Sequence, residues 1–393
     1  MDNIRFKLEL ISFCTCMFFY VIWRFFVVFH NNSKIIPLII AIILACYVVL
    51  TFMYWWDNKT LDILSTMSSR IFVLWFLLMI LLSIEHLISI WYKVNPRIIV
   101  WIIILILWLW TYFSLHTKIT YLNIDTNKVH KDTKILFVSD IHAEHITSTF
   151  HVNKIRNMIE TEKPDFVIIA WDLINKPNDW YAQYFENIEP DYQPTYHYPY
   201  YDTLIFAVVG NHDVMWNTEA IKKVANTSRI TFLNNETVTF LDWVTIRDWC
   251  KADEASNCTG TIQIIWLIDK SLRWDKNIDQ VLKEAIYPKS PISDKITEYN
   301  PDTFKILVTH QPISLEKLKN YPIDLEVAWH THRGQFFGMR KVIKWLNDYA
   351  YWEYKLWDKI AFVTQWIWTW WLPFRLWTQS EMVIINLKKV KKK

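Results

Sequence analysis

The chain has 393 residues, enough for one large domain or two smaller ones. Its net charge of +3 at pH 7 gives no basic excess to argue for a nucleic-acid partner. Four glycines stand beside 24 tryptophans, whereas average usage predicts about 27 glycines for this length, close to the two counts combined. Only glycine enters positive-φ turns without steric cost, so a fold with four glycines would lack its ordinary turns. Most tryptophan positions therefore read as glycine positions.

Residues 1–115 contain four apolar runs, near 8–29, 35–56, 71–92 and 98–115. Each approaches the roughly 20 residues needed to span a bilayer. A cleaved signal peptide is the competing reading of the first, but three more runs follow and no small-residue cleavage pattern is evident. Residues 1–118 are thus predicted to be a membrane domain of four transmembrane helices, with 119–132 as a linker. Arg24 interrupts the first run and must snorkel or pair. Glu85 and His86 lie deep in the third run, either as a functional intramembrane pair or as a hydrogen bond between helices.

Arg5, Lys7, Lys59, Arg70, Lys118, Lys128, Lys131 and Lys134 flank one set of faces; Lys34, Lys93 and Arg97 flank the other. Positive-inside counting favours cytoplasmic termini for this multi-pass membrane protein. Against it, Cys250 and Cys258 sit close together in a hairpin-like segment and suit a disulfide, which needs an oxidising compartment. The side of the membrane stays open. Cys14, Cys16 and Cys46 fall in apolar runs and read as small hydrophobes.

From about 120 the pattern changes to short apolar runs between polar turns. "KILFVSD" (134–140), "DFVIIAWD" (165–172), "LIFAVVGNHD" (204–213) and "FKILVTH" (304–310) each read as a buried strand ending in Asp, His or Asn. Helical patterns lie between them, at 150–162 and 217–227. Alternating strands and helices describe an α/β domain whose site lies at the strand ends.

Those ends supply Asp140, His142, Asp172, Asn211, His212, Asp213 and His310, and "WHTHRGQ" adds His330 and His332. Carboxylate and amide oxygens mixed with imidazoles suit Mn, Fe, Zn or a similar divalent ion. So many donors exceed the needs of one ion and suit two divalent ions sharing a carboxylate.

In this order the blocks resemble the calcineurin-like metallophosphoesterases. "SDIH" matches their D-x-H motif, "WDLIN" their G-D-x-x-(D/N), "GNHD" their G-N-H-(D/E), "VTHQP" their single-His motif and "WHTHRGQ" their G-H-x-H. The resemblance covers roughly 133–390, and the membrane-tethered bacterial branch ending in a "GxGTSGxPxR" stretch is the most similar. It implies two packed mixed β-sheets flanked by helices, here preceded by the four transmembrane helices. Asp140, His142 and His332 would hold one metal; Asn211, His310 and His330 would hold the other; Asp172 would bridge them. His212 would stand beside the leaving-group oxygen as acid or electrostatic stabiliser, oriented by Asp213. The two ions would neutralise the phosphoryl oxygens during in-line attack.

The departures are mostly tryptophans. Trp171 and Trp329 precede Asp172 and His330 where the family has glycine, and Trp266, Trp366, Trp368 and Trp371 do likewise. Read with glycine, "QWIWTWWLP" (365–373) matches the family's closing motif. Some bacteria read the opal codon as glycine and other codes read it as tryptophan, which accounts for the substitution. Gly210, Gly260, Gly334 and Gly338 would then be glycines with ordinary codons. Arg333 also departs from the family and could reach a substrate phosphate. Residues 176–202 form a Tyr- and Pro-rich insertion, a lid or a surface loop, and the tail "KKVKKK" is either solvated or lipid-facing.

The expected function is membrane-anchored hydrolysis of a phosphomonoester, phosphodiester or pyrophosphate, with a lipid-linked or envelope substrate favoured. Nucleotide or nucleic-acid phosphodiester hydrolysis is the alternative reaction, although a nucleic-acid partner is disfavoured, and no protein partner is implied. A catalytically silent scaffold or sensor is the alternative class.

Overall fold

The computed structural model describes Tyr20 and residues 78–92, 95–142, 148–170, 173–174, 183–185, 188, 204–208, 218–228, 230–233, 237–240, 262–267, 277–286, 302–329, 345, 349–365, 367 and 378–390. The chain forms two units: Met1–Tyr112 with Trp371–Phe374, and Phe113–Trp370 with Arg375–Lys393.

In the first unit, the first apolar run apart from Tyr20, the second run, and residues 71–77 of the third lie outside the described residues. Residues 78–89 are helical. The fourth run forms helix α1 (Pro96–Leu115), 20 residues long. Leu82 and Ile99 are buried together beside Tyr20, Leu78, Met79, Leu81 and Ile103. His86 Nδ1 lies 3.3 Å from the Tyr20 hydroxyl, the hydrogen bond between separate runs that is one of the two readings of this position. Over the described side chains, no helix is long and apolar enough to cross a membrane. Trp101, Leu105 and Trp108 of α1 are nonetheless exposed.

The second unit is built on two six-stranded mixed sheets. The first has the order β1-β12-β2-β3-β4-β5, with β1 at Thr117–Thr126, β2 at Thr133–Ser139, β3 at Phe166–Ala170, β4 at Leu204–Val208, β5 at Ile230–Leu233 and β12 at Ser380–Lys389. The second has the order β10-β11-β9-β8-β7-β6, with β6 at Thr237–Phe240, β7 at Ile262–Trp266, β8 at Phe304–Val308, β9 at Leu325–Ala328, β10 at Trp352–Leu356 and β11 at Lys359–Val363. Strands β2 to β5 run parallel, as do β7, β8, β9 and β11. Among the described residues four helices accompany them: α2 (Ser148–Glu162), α3 (Thr218–Thr227), α4 (Ile278–Ile286) and α5 (Leu315–Leu318). The helical patterns at 150–162 and 217–227 are α2 and α3.

Side-chain alternation along the strands creates the layers. Ile135, Phe137, Phe166 and Ile168 of the first sheet meet Ile264, Ile306, Val327 and Phe362 of the second in one buried core. Leu136, Val138, Val167 and Ile169 point the other way, onto Val152, Ile155 and Ile159 of α2 and Val224 of α3. On the far side, Ile265 and Leu307 pack with Leu282 of α4 and Leu315 and Leu318 of α5. Parallel strands covered on both faces must be apolar on both faces, which is why these runs do not alternate in the sequence.

Two regions differ from the simplest sequence reading. The stretch 119–132 holds most of β1, which pairs with β12 from Thr117↔Ser380 to Thr126↔Lys389. Its buried Thr120, Leu122 and Ile124 alternate with exposed residues, the pattern of a half-buried edge strand. The first two lysines of the tail, Lys388 and Lys389, belong to β12 and pair with Asp125 and Thr126. Of the Tyr-rich insertion, Phe185 and Ile188 are buried in the outer core of the first sheet.

Candidate active site

The register brings the ends of several strands to one level. Ser139 of β2 lies beside Ala170 of β3, and Ala170 beside Val208 of β4. In the other sheet Trp266 of β7 lies beside Val308 of β8, and Val308 beside Val327 of β9. Chemistry-bearing residues follow each of these ends except β7.

Asp140 directly follows β2, and its N–H extends the ladder by donating to the Ala170 carbonyl at 3.1 Å. Asp140 and His142 are fully or almost fully buried. Both occupy the left-handed region, with φ 52° and 43°. That backbone is uncommon for any residue with a Cβ, although Asp and His tolerate it better than most. It turns two successive donor side chains into one place: His142 Nε2 is 3.9 Å from Asp140 Oδ1. A buried carboxylate beside a buried imidazole fits a divalent first-row metal, which takes O and N donors together.

His310 follows β8 and is also buried. Its carbonyl accepts the Trp329 N–H at 3.3 Å, while the Thr309 N–H donates to Val327 at 3.1 Å. The β8 and β9 chains are thus zipped together past their strand ends. The Trp329 ring lies edge-on to His310 at 5.8 Å and tilted against Phe137 of β2 at 5.6 Å. One indole therefore spans from β2, which leads into Asp140, to His310 beyond β8.

Asp172, Asn211, His212, Asp213, His330, His332 and Arg333 lie outside the described residues, as do Trp171, Trp366, Trp368, Trp371, Cys250 and Cys258. Among the described residues no group of three or more His, Cys, Asp or Glu is placed to hold a metal; four of the seven expected ligands fall outside that set. From the closing motif, Gln365 and Ile367 are described and buried. The Ile367 N–H donates to the Ser139 carbonyl at 3.3 Å, which ties this stretch to the residue before Asp140.

Two buried glutamates escaped the sequence reading. Glu381 of β12 accepts hydrogen bonds from the Thr120 and Thr364 hydroxyls at 2.6 and 2.8 Å and from the Gln365 N–H at 3.0 Å. It joins the first sheet to the start of the closing motif. Glu326 of β9 accepts from the Thr309 hydroxyl at 2.9 Å and the Ile313 N–H at 2.6 Å. Burial pushes its carboxyl up to about 8, against the opposing pull of those two bonds. The available signal was a single acidic residue inside each apolar strand, "LEVA" and "SEMVII".

Residues 133–351 match the family model for calcineurin-like phosphoesterases. An uncharacterized metallophosphoesterase of Helicobacter pylori is 25% identical over 275 residues, which is 69% of this chain and 64% of that protein. A second, from Campylobacter jejuni, is 23% identical over 273 residues, 69% of this chain and 63% of that one. The match thus spans under two thirds of either relative's own length. Among solved structures, the calcineurin-like phosphoesterase YfkN of Bacillus subtilis aligns over 51% of this chain and 72% of its own, at 15% identity and a TM-score of 0.30. The chain belongs to the calcineurin-like phosphoesterase family.

Proposed function

We propose that this chain is a metal-dependent phosphoester hydrolase that uses two divalent ions and acts at a membrane on a lipid-linked or envelope phosphodiester or pyrophosphate. The buried Asp140–His142 pair at the end of β2 carries the metal half of the reading. Asp140, His142 and His332 would hold one ion, Asn211, His310 and His330 the second, with Asp172 shared. The ions would supply Lewis-acid stabilisation of the charge that develops on the phosphoryl oxygens. The chain's own part is to fix the donors before substrate arrives, which the left-handed backbone at 140 and 142 does. His212 would protonate or stabilise the leaving oxygen, Asp213 would hold its ring, and Arg333 would pair with a substrate phosphate. Metal analysis of the purified chain should return two ions, and Asp172→Asn should reduce that number. Retention of two ions by Asp172→Asn would remove the bridge from the scheme.

The exposed apolar face of α1 supports the anchor. Its 20 residues extend about 30 Å at 1.5 Å per residue, the thickness of a bilayer's hydrocarbon core. Ile98, Ile104 and Leu105 are 52%, 47% and 53% exposed, an arrangement that water disfavours and lipid does not. Flotation of the full chain with liposomes, compared with a chain lacking 1–112, tests it: equal partitioning of the two would sink the anchor.

Most of the tryptophans, a few in the apolar runs excepted, are read as glycines in the native protein. Strands β10 and β11 pair up to Leu356↔Lys359, leaving a two-residue turn, Trp357-Asp358. Trp357 has φ 58°, and a tight hairpin with a left-handed first turn residue normally carries glycine there. Trp352, at φ 85°, sits where a bulky residue is a genuine outlier. In the core, the Trp266 Nε1 is buried with no hydrogen-bond partner among the described residues, a cost that glycine would not incur. Peptide mass spectrometry of the native protein decides this reading, and tryptophan at 352 and 357 would overturn it.

A further inference from the structure

We propose that Glu326 is a positioning residue: a buried strut that fixes the 309–313 turn and thereby sets the His310 ring. The inference rests on the reading of His310 as a metal ligand. Leu325 and Val327 face the inter-sheet core, so Glu326, between them on β9, faces the opposite side. That side is the apolar layer of Ile265, Leu307, Ile313 and Leu315. A fully buried carboxyl in such a layer is costly, and an apolar residue of similar size would pack there without the penalty. The geometry shows what the carboxyl does in return. It receives the Thr309 hydroxyl from one side of His310 and the Ile313 N–H from three residues beyond it. The turn that carries His310 is therefore closed at both ends on one side chain.

The same turn is held from the other strand by Thr309 N–H to Val327 and by Trp329 N–H to His310. These backbone bonds fix the height of the turn above the sheet. They leave the rotation of the 310–313 segment about that anchor to the Glu326 contacts. Beyond the turn, the Leu315 N–H donates to the Tyr349 hydroxyl at 3.1 Å, so the start of α5 is fastened separately. Loss of Glu326 should thus loosen the His310 turn without releasing the helix. Outer-shell groups of this kind orient ligands and typically govern metal affinity by about 10–100-fold.

The experiment is Mn(II) titration of the purified full chain, followed by electron paramagnetic resonance and by total bound metal. Glu326→Leu should weaken one of the two ions by about 10–100-fold while the other binds as in the parent. Glu326→Gln keeps an acceptor of the same shape and should restore parent binding. Thr309→Val, which removes one of the two bonds, should fall between, and Thr309→Ser should behave as the parent. Parent-like binding of both ions in Glu326→Leu and Thr309→Val would overturn the strut. So would equal weakening of both ions, which marks a general loss of structure. Should Glu326→Leu fail to fold, the Thr309→Val and Thr309→Ser pair decides by the same criterion. His310→Ala tests the underlying reading separately: it must lose one ion. If it does not, that reading fails; if it does while Thr309→Val and Glu326→Leu bind normally, only the strut fails.

Discussion

Among the described residues, three places in the second unit hold non-glycine residues in left-handed backbone, and two of them, after β2 and in the β10–β11 region, differ in burial and in what their side chains reach. After β2, Asp140 and His142 are buried and aim donor atoms at one place. In the β10–β11 region, Trp352 and Trp357 are 44% and 58% exposed. Such backbone costs an L-residue roughly 1–2 kcal/mol. At the first site the residue types are those that tolerate it, and the strained backbone brings a buried carboxylate and a buried imidazole together, the pair proposed as metal donors. At the second the residue type is among the least suited, and the described contacts are cation–π approaches from Lys118 and Lys319 at 4.7 and 5.0 Å and tilted ring contacts of Trp352 with Tyr351 and Phe362 at 5.6 and 6.0 Å. Strain joined to burial and donors is what the proposed site expects; strain joined to an exposed indole is what the proposed glycine reading expects.

The largest expected effect is at the strained donors. Asp140→Ala should lower phosphodiester hydrolysis by at least about 10²–10³-fold, the scale of removing one preorganised electrostatic group. Chelation of the wild-type chain should match it, and added divalent ion should reverse chelation but not the substitution. Activity in Asp140→Ala within a few-fold of the parent would place the site elsewhere. Next come the two core tryptophans. If the indoles are native, Trp266→Gly or Trp329→Gly opens a cavity and costs about 3–5 kcal/mol. The glycine reading expects the reverse, a gain of about 1–3 kcal/mol as overpacking is relieved. Chemical denaturation reads the sign directly. At the hairpin, Trp357→Gly should stabilise by about 1 kcal/mol; a melting temperature that falls would break the contrast drawn between the two places.

The strand ends were legible because hydrophobicity stops where chemistry starts. "KILFVSD", "DFVIIAWD" and "FKILVTH" become β2, β3 and β8, with Asp140 directly beyond the first and His310 two residues beyond the end of the last. What stayed hidden is what one chain segment does to a distant one. β12 lies between β1 and β2, antiparallel to β2, and no local pattern announces that a C-terminal strand will enter there. β1 shows the period-2 alternation of an edge strand, yet its polar half makes it read as a linker. Glu326 and Glu381 were passed over for a related reason: a lone carboxylate in an apolar strand reveals its role only when its donors, 13–17 residues away for Glu326 and up to 261 for Glu381, are brought to it.

The smallest effect concerns the third place with left-handed backbone, Lys163, which serves as the control for the other two. Lys163, at φ 47°, directly follows α2, and its N–H donates to the Ile159 carbonyl at 3.0 Å. A left-handed residue is routine just past a helix end, and glycine is merely the commonest choice. Lys163→Gly should therefore gain less than Trp357→Gly. The preceding Glu162 holds this end in place: it accepts the Tyr121 hydroxyl at 2.6 Å and Lys134 Nζ at 2.9 Å. Those two partners, Tyr121 first, hold its carboxyl below the usual glutamate range. A carboxyl lowered by folding adds stability that is full above its unfolded value of 4.5 and is lost as pH falls through its folded value. An exposed cluster of this kind contributes about 0.2–1 kcal/mol. Glu162→Gln should thus lower the melting temperature slightly at pH 7 and leave it unchanged near pH 3. A deficit at pH 3 as large as at pH 7 would mean that the ionised carboxylate does not hold the helix end.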